Sequence, residues 1–401
     1  MMLNLDKNKK YLLACSFGPD SMALFHMLQM EGYDFEAALV NYNLREESTQ
    51  EMLDFIDYCE KQGVKHHELV IDKWEKQNNL EARCRNIRYR YFADLVEKYG
   101  FFEVLVAHNE DDAIETFLLQ NKRKNLLFSY GLRQNSELFG VKINRPLIGF
   151  SKAALKKFCL TYKIPHSIDK TNLQDTFERN KIRHQIVEKL SQEEREEILK
   201  QIEYRNFVIR TKLDYLNSLD LSDCEQLLTL DEEEFVYAVN ILTKKIDEAM
   251  SVSKRQCEEI YQVLESKKSN VSIKLKNHII FEKSYGSVYL YKDLLNSYSY
   301  RIEGPIELDT EYFYLNFTKD SANRNVSKDD YPLTIRNAQK DDVYLIKDYQ
   351  VKVNRLFIDW KMPPHLRKRW PVILNKDNKI IYIPRYQRNF RLDKKCNFYV
   401  K

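Results

Sequence analysis

Short apolar segments alternate with amphipathic segments over the first 150 residues of the chain. The apolar segments contain few polar positions, which is typical of strands buried on both faces of a parallel sheet. The segments between them place apolar residues on one helical face. The predicted elements are strand Tyr11–Cys15, helix Ser21–Met30, strand Ala37–Tyr42, helix Glu51–Gln62, strand Glu68–Ile71, helix Leu80–Tyr99, strand Val104–Ala107 and helix Asp111–Gln120. This alternation predicts an α/β fold with a doubly wound, Rossmann-like parallel sheet.

The pattern changes in the second half of the chain. Between Pro165 and Gly286 there is neither glycine nor proline, and the apolar positions recur at helical spacing. Residues 271–292 alternate as strands do, and residues 331–401 combine short apolar runs with prolines. The polar segment 317–330 is a candidate linker. We predict three domains: an α/β domain over 1–190, a mainly helical domain with a short β segment over 191–300, and a small α+β domain over 325–401.

Composition excludes several classes of protein. The 401 residues are 43% hydrophobic and 31% charged, as in globular proteins. No apolar run reaches the roughly 18 residues of a membrane helix, and the first residues lack the apolar core of a secretory signal. The seven cysteines are dispersed and form no CxxC pair, which argues against a zinc site and favours reduced thiols. We therefore expect a cytoplasmic protein with no membrane partner.

The net charge of +4 is mild, but its distribution is uneven. Six lysines and arginines lie in residues 385–401, interleaved with aromatic residues, and Arg367–Arg369 add three more. A basic, aromatic surface of this kind fits a structured RNA. The alternative is a tail that only improves solubility.

The segment Cys15–Ser21 follows the first predicted strand and opens the first helix. Ligands of parallel α/β sheets bind beyond the carboxyl ends of the strands, and a helix N-terminus there attracts anions. Gly18 permits a close approach of phosphate, and Pro19 suits the first turn of a helix. Neither the Walker A pattern GxxxxGKS/T nor the dinucleotide pattern GxGxxG occurs, which excludes P-loop NTPases and Rossmann dehydrogenases. A simple capped turn is the alternative.

Three carboxylates lie on one turn after the fourth predicted strand, at Asp111, Asp112 and Glu115. Carboxylates at a helix start usually cap the helix or face its dipole. Three of them on one turn repel one another unless a cation is present, and Mg²⁺ or an ammonium group is the natural candidate. Nearby helices carry arginines that either contact phosphates or form solvated surfaces.

The segment SFGPDS, residues 16–21, resembles the SGGxDS loop of the PP-loop ATP-pyrophosphatase superfamily. Phe17 replaces the first glycine, and we expect an extended backbone there with the phenyl ring projecting from the loop. Further segments resemble the tRNA(Ile)-lysidine synthetase family. They are NYNLREES from Asn41, EARCRNIRYRYF from Glu81, HNEDDAIET from His108, RPLIGFSKAALKKFC from Arg145, DKTN from Asp169, RNKIRH from Arg179, and the segment Phe357–Pro384. Asn41 and Asn43 replace the histidines usual in the first of these.

The resemblance implies a reaction in two steps. ATP, with Mg²⁺, adenylates cytidine 34 in the CAU anticodon of tRNA(Ile) and releases pyrophosphate. The ε-amine of L-lysine then attacks C2 and displaces AMP. The product, lysidine, pairs with A, so the tRNA decodes AUA instead of AUG. The cytosine must leave its stack to reach a pocket of the protein.

The resemblance, with the patterns above, also implies the site residues. The expected catalytic residues are Asp20, His108, Asp111 and Asp112. The expected ATP-binding residues are Ser16, Phe17, Gly18, Pro19, Asp20, Ser21, Asn41 and Arg83. Mg²⁺ is expected at Asp20 and Asp111, and lysine at Asp112 and Glu115. The expected tRNA-binding residues are Arg88, Arg179, Arg183, Arg367, Arg369 and Arg388.

Two alternatives remain at this point. A PP-loop tRNA thiolase would use paired cysteines or an iron–sulfur cluster, and the missing CxxC pair argues against it. An inactive PP-loop protein that only binds RNA is favoured by Phe17 alone. The retained Asp20, His108, Asp111 and Asp112 argue against that second alternative.

Overall fold

A computed structural model describes residues 2–44, 47–71, 80–123, 126–167, 178–293, 297–318, 326–346, 348–387, 392–393 and 398–401. The chain divides into two compact units, Met1–Thr211 and Lys212–Lys401. The division into three domains stays a prediction.

The first unit alternates strands and helices, as the sequence predicts. Its elements are β1 Lys10–Ala14, α1 Pro19–Met30, β2 Asp34–Asn41, α2 Ser48–Gln62, β3 His66–Val70, α3 Leu80–Tyr99, β4 Glu103–Val106, α4 Glu110–Arg123, β5 Asn135–Leu138, β6 Val141–Asn144, α5 Lys152–Thr161, α6 Glu178–Gln185 and α7 Gln192–Ser218, which runs into the second unit. Among the described residues these strands form one sheet in the order β3-β2-β1-β4-β6-β5. All neighbours are parallel except β5, which pairs antiparallel with β6. The predicted doubly wound parallel sheet is confirmed.

Strand β1 shows why the apolar runs are continuous. Leu13 packs into a core with α1 on one face of the sheet, whereas Leu12 packs into a core with α3 on the other. Both side chains are fully buried. A polar residue at either position would be buried as well, so the strand is apolar on both faces. The chain leaves β1 toward β2 on one side and continues through β4 on the other. The loops after β1 and β4 therefore meet at the point where the strand order reverses, which is where such folds bind ligands.

The second unit begins with helices and continues with antiparallel sheets. Its elements are α8 Cys224–Leu228, α9 Glu232–Lys244, α10 Lys254–Glu265, β7 Asn270–Lys274, β8 Ile279–Ser284, β9 Ser287–Lys292, β10 Ser299–Ile302, β11 Glu307–Asp309, β12 Phe313–Asn316, β13 Leu333–Asn337, β14 Val343–Ile346, β15 Tyr349–Lys352, α11 Val353–Asp359, α12 Pro364–Arg367, β16 Pro371–Leu374, β17 Ile380–Tyr382, β18 Leu392–Asp393 and β19 Phe398–Val400. Capping boxes at Asp231 and Ser253 start α9 and α10. The predicted order of a helical region followed by an α+β region is confirmed.

Strands on both sides of the candidate linker 317–330 belong to the same sheets. Strand β10 pairs with β13, and β12 pairs with β19. Phe313, Trp370 and Phe398 are buried together in one core. Part of the linker segment lies outside the described residues. No helix in the described ranges has both the length and the apolar character needed to cross a membrane.

Candidate functional site

A cavity of about 220 Å³ lies at the carboxyl ends of β1 and β4. Six of its lining residues were predicted from the sequence: Ser16, Asp20, Ser21, Arg88, His108 and Asp112. The sequence did not predict the others, which are Ala14, Cys15, Val40, Tyr42, Tyr89, Phe92, Val106 and Ala107. The cavity thus joins the loop after β1 to the start of α4, with aromatic side chains from α3 along one side.

Ser21 shapes the loop between β1 and α1. Its Oγ accepts a hydrogen bond from the backbone N–H of Ser16 at 3.3 Å and donates to the carbonyl oxygen of Gly18 at 2.9 Å. Helix α1 begins at Pro19, and Gly18 provides no side-chain cap. The first N–H groups of the helix therefore point to the cavity end of the sheet without a side-chain acceptor, as in anion sites. The geometry fits a bound phosphate group.

Phe17 lies in the left-handed region, with φ of 56°, so the expectation of an extended backbone is wrong. Its ring does not project over the loop, because it is 5% exposed and packs edge-on against Phe55 at 6.4 Å. Its carbonyl oxygen accepts a hydrogen bond from the N–H of Ser167 at 2.8 Å. A left-handed residue costs roughly 1–2 kcal/mol, and burial of a phenyl group contributes about as much. The loop keeps its shape without the glycine.

Asp20 lies in the first turn of α1, and its Oδ1 is buried without a hydrogen-bond partner among the described residues. Burial raises the pKa of this carboxyl to about 6. The positive charges of Lys152 and Arg183 oppose that rise in pKa, whereas Asp111 and Asp112 reinforce it. A buried oxygen with no partner, next to the loop between β1 and α1, is suited to serve as a ligand of a cation.

Asp112 and Glu115 hold two arginines of α6. Glu115 is fully buried, and its two oxygens accept hydrogen bonds from Arg179 Nε at 2.8 Å and Arg183 Nε at 2.5 Å. Asp112 Oδ1 accepts from Arg179 Nη2 at 3.0 Å, and its Oδ2 accepts from the N–H of Asn109 at 3.1 Å. Asn109 in turn caps Asp112 N–H, so Asp112 belongs to a capping box. Arg179 and Arg183 therefore compensate part of the charge repulsion that was expected among the carboxylates of α4.

Asp111 is not among the residues that line this cavity. Both of its oxygens pair with the guanidinium of Arg195, at 3.0 and 3.2 Å, and its Oδ1 also accepts from the N–H of Lys152. Arg195 also donates to the carbonyl oxygen of Val187. Arg195 was not predicted from the sequence, because a single arginine in an acidic helix usually forms local surface pairs.

His108 contacts a buried arginine. Arg145, which follows β6 and is 4% exposed, donates from Nε to His108 Nδ1 at 3.0 Å. Burial lowers the pKa of His108 to about 3, and neighbouring guanidinium groups act in the same direction. His108 therefore lines the cavity as a neutral side chain.

Other predicted site residues lie outside the cavity lining. Asn41 is buried and accepts a hydrogen bond from the N–H of Asn43. Arg83 is partly exposed on α3. In the second unit, Arg367 donates to the Tyr285 hydroxyl, and Arg369 lines a separate cavity of about 110 Å³. The predicted Arg388 and the DKTN segment lie outside the described residues.

Comparisons with known proteins agree with this geometry. The PP-loop domain family matches residues 1–190. A tRNA(Ile)-lysidine synthase of Mycoplasma mycoides subsp. mycoides SC is 30% identical and aligns with 95% of this chain and 98% of its own length. The chain belongs to the tRNA(Ile)-lysidine synthase family. A tRNA(Ile)-lysidine synthase of Staphylococcus aureus (strain N315) is 26% identical over 93% of this chain and 92% of its own length.

Similar solved structures include the C-terminal domain of TILS. The match is 21% identical, covers 26% of this chain and 93% of the TILS domain, and has a TM-score of 0.19. The U34-tRNA thiolase NcsA of Methanococcus maripaludis covers 50% of this chain and 73% of its own, at 15% identity and a TM-score of 0.43. Membership of the tRNA(Ile)-lysidine synthase family makes this protein a PP-loop ligase that uses ATP. The predicted family and enzyme class are confirmed.

Proposed function

We propose that this protein joins L-lysine to C2 of cytidine 34 in the CAU anticodon of tRNA(Ile), and so changes decoding from AUG to AUA. The observation that carries the proposal is the alignment of nearly the whole chain with a tRNA(Ile)-lysidine synthase. The cavity supports it, since it combines a phosphate-binding loop with the carboxylates Asp20 and Asp112.

In the first step, the cytosine O2 attacks the α-phosphorus of ATP. A new P–O bond forms, and the bond between the α-phosphorus and the bridging oxygen breaks, so pyrophosphate leaves with the electron pair. Chemistry of this kind needs positioning and charge neutralisation more than a protein nucleophile. We assign the phosphates to Ser16 and to the N–H groups that open α1.

The residues present fit a magnesium ion beside the phosphates. Mg²⁺ is usually held by one or two carboxylates together with substrate phosphates, and Asp20 offers a buried, unpartnered Oδ1. Asp111 was expected as a second ligand, but its oxygens are engaged by Arg195. We therefore propose Asp20 as the protein ligand. Bound Mg²⁺ would neutralise charge on the phosphates.

In the second step, the lysine ε-amine attacks C2, a C–N bond forms, and the C2–O bond to AMP breaks. The attacking amine must lose a proton, and Asp112 is our candidate acceptor because it lines the cavity. Glu115 was expected to bind lysine, and that contact stays a prediction. Since two arginines hold its oxygens, we propose that Glu115 mainly positions Arg179 and Arg183.

The tRNA would be held by arginines of both units. Arg88 lines the cavity and Arg369 is exposed in the second unit, so both can reach a phosphate backbone. The predicted contacts of Arg179, Arg183 and Arg367 belong to the same proposal.

The two steps can be separated in one experiment. Without lysine, exchange of labelled pyrophosphate into ATP should require the cognate tRNA. We expect Asp112→Asn to keep this exchange within about threefold and to lower lysine transfer by 10²-fold or more, the usual range for a proton acceptor. The matched control is Asp94→Asn, at an exposed position of α3. Normal lysine transfer in Asp112→Asn would refute the role of this carboxylate.

A further inference from the structure

Arg145 is a buried arginine at the start of one of the segments that resemble the tRNA(Ile)-lysidine synthetase family. It lies directly after β6, at the edge of the sheet. Its Nη1 donates to the carbonyl oxygen of Arg133 at 2.8 Å and to Ser136 Oγ at 2.9 Å, and its Nε donates to His108 Nδ1 at 3.0 Å. Oxygens in and just before β5 therefore hold the guanidinium at Nη1, and His108 receives the hydrogen bond from Nε.

This contact determines where the imidazole carries its proton. A guanidinium has only N–H donors, so a nitrogen that pairs with it must offer a lone pair. Nδ1 of His108 is consequently unprotonated, and the ring proton is on Nε2. His108 lines the cavity and its Nδ1 is paired with Arg145. The Nε2–H group is therefore the part of the imidazole that can donate a hydrogen bond to a substrate.

We propose that Arg145 is a positioning residue that holds His108 as the neutral Nε2–H tautomer, so that His108 donates a hydrogen bond to a phosphate oxygen of ATP. The assignment of the tautomer stands on geometry alone. Only the identity of the acceptor rests on the proposed function.

The consequence is that His108 transfers no proton. Its Nδ1 lone pair is occupied by Arg145, and its Nε2 already carries hydrogen. Protonation to the imidazolium is opposed by burial and by four guanidinium groups near the ring, those of Arg145, Arg179, Arg88 and Arg85. Proton acceptance from the lysine amine is thereby left to a carboxylate such as Asp112.

Nitrogen-15 NMR of histidine-labelled full-length protein tests the tautomer directly. The chain has eight histidines, and His108 is assigned by the signal that disappears in His108→Gln. We expect the two His108 nitrogens to keep the Nε2–H pattern from pH 5.5 to 8. An Nδ1–H pattern or a titrating His108 signal in this range would overturn the proposal, whether or not the protein ligates lysine.

Variants of Arg145 test the positioning role. Arg145→Met removes the donor, and we expect His108 to populate the second tautomer or the imidazolium by pH 6. Pyrophosphate exchange should fall about 10- to 100-fold, as when an orienting partner is lost, with the KM for tRNA unchanged. Arg145→Lys restores a donor and should recover the Nε2–H pattern and part of the rate.

The control is Arg123→Gln, which removes an exposed guanidinium at the end of α4 and should change neither spectrum nor rate. An unchanged His108 spectrum in Arg145→Met would overturn the proposal. If Arg145→Met does not fold, the titration of the unsubstituted protein decides on the tautomer, and Arg145→Lys decides on the positioning role.

Discussion

Asp20 combines a buried, unpartnered oxygen with a pKa raised to about 6. A raised carboxyl pKa means that the folded protein binds this proton more tightly than the unfolded chain does. This group therefore favours folding most below pH 4, and its contribution decreases as the pH rises through about 6. At neutral pH the ionised side chain costs stability until a cation or ligand compensates it.

Asp20→Asn should stabilise the protein and inactivate it. In the absence of ATP and Mg²⁺ at pH 7.5, we expect the free energy of unfolding to rise by about 1–3 kcal/mol, because the buried charge is removed. The gain should disappear at pH 4. Pyrophosphate exchange should fall by 10²-fold or more. Urea unfolding at both pH values measures the first effect.

The control for this substitution is Asp34→Asn, at the exposed start of β2. It should change neither the free energy of unfolding nor the exchange rate. A destabilised Asp20→Asn protein at pH 7.5 would contradict the assignment of Asp20 as a buried charge that Lys152 and Arg183 compensate only in part.

Single residues of the site were predictable where a local motif carries them. Ser16, Asp20 and Asp112 lie in short segments with recognisable spacing, and they do meet at one cavity. Arg145 and Arg195 act through partners 37 and 84 residues away, and no local pattern encodes such pairs. The backbone of Phe17 was predicted wrongly because a bulky residue rarely adopts positive φ without tertiary packing.

Helices α4 and α6 are joined by ion pairs centred on the fully buried Glu115. Glu115 and Asp112 project from α4 toward Arg179 and Arg183 of α6. Removal of Glu115 costs stability because the two guanidinium groups would then keep only Asp112 as a carboxylate partner among the described residues.

Glu115→Gln should lower the free energy of unfolding of the first unit by about 3 kcal/mol. The matched control is Glu178→Gln, which removes an exposed carboxylate of α6 that pairs with Lys122 at 3.7 Å. That change should cost less than about 1 kcal/mol. Equal effects of the two substitutions in urea unfolding would contradict the stabilising role of the buried Glu115 between α4 and α6.

Elements with strong apolar periodicity were predicted within a few residues, and helix Leu80–Tyr99 matches its predicted bounds. The β5–β6 hairpin was missed. Its strands have four residues each, and β5 is only partly buried at the edge of the sheet. The tight turn at Phe139 and Gly140, both with positive φ, joins them. Short edge strands bury too little apolar surface to leave a clear periodic signal.

Strand pairing between distant segments makes truncation of the C-terminal region a poor test of RNA binding. Removal of residues 325–401 would separate β12 from β19 and expose the buried Phe313 and Leu315. A truncated protein would therefore lose part of the core of the second unit together with any tRNA contact made there. The sequence did not reveal this pairing because the partners lie far apart along the chain.

Charge reversal at exposed positions avoids that problem. Lys368→Glu with Arg369→Glu should raise the KM for tRNA about tenfold, with kcat unchanged, because phosphate contacts contribute to binding and not to chemistry. The salt dependence of binding should weaken by about two units of slope. The control, Lys376→Glu with Lys379→Glu, changes the charge equally at a turn between β16 and β17. Equal effects would contradict a specific contact at Arg369.

Ligation of lysine to one tRNA is tested by incorporation of labelled L-lysine into unmodified tRNA(Ile) with a CAU anticodon, in the presence of ATP and Mg²⁺, with tRNA(Met) as the control. We predict ATP-dependent labelling of tRNA(Ile) and no labelling of tRNA(Met). Failure to label tRNA(Ile), while the protein still binds it, would contradict the proposed function.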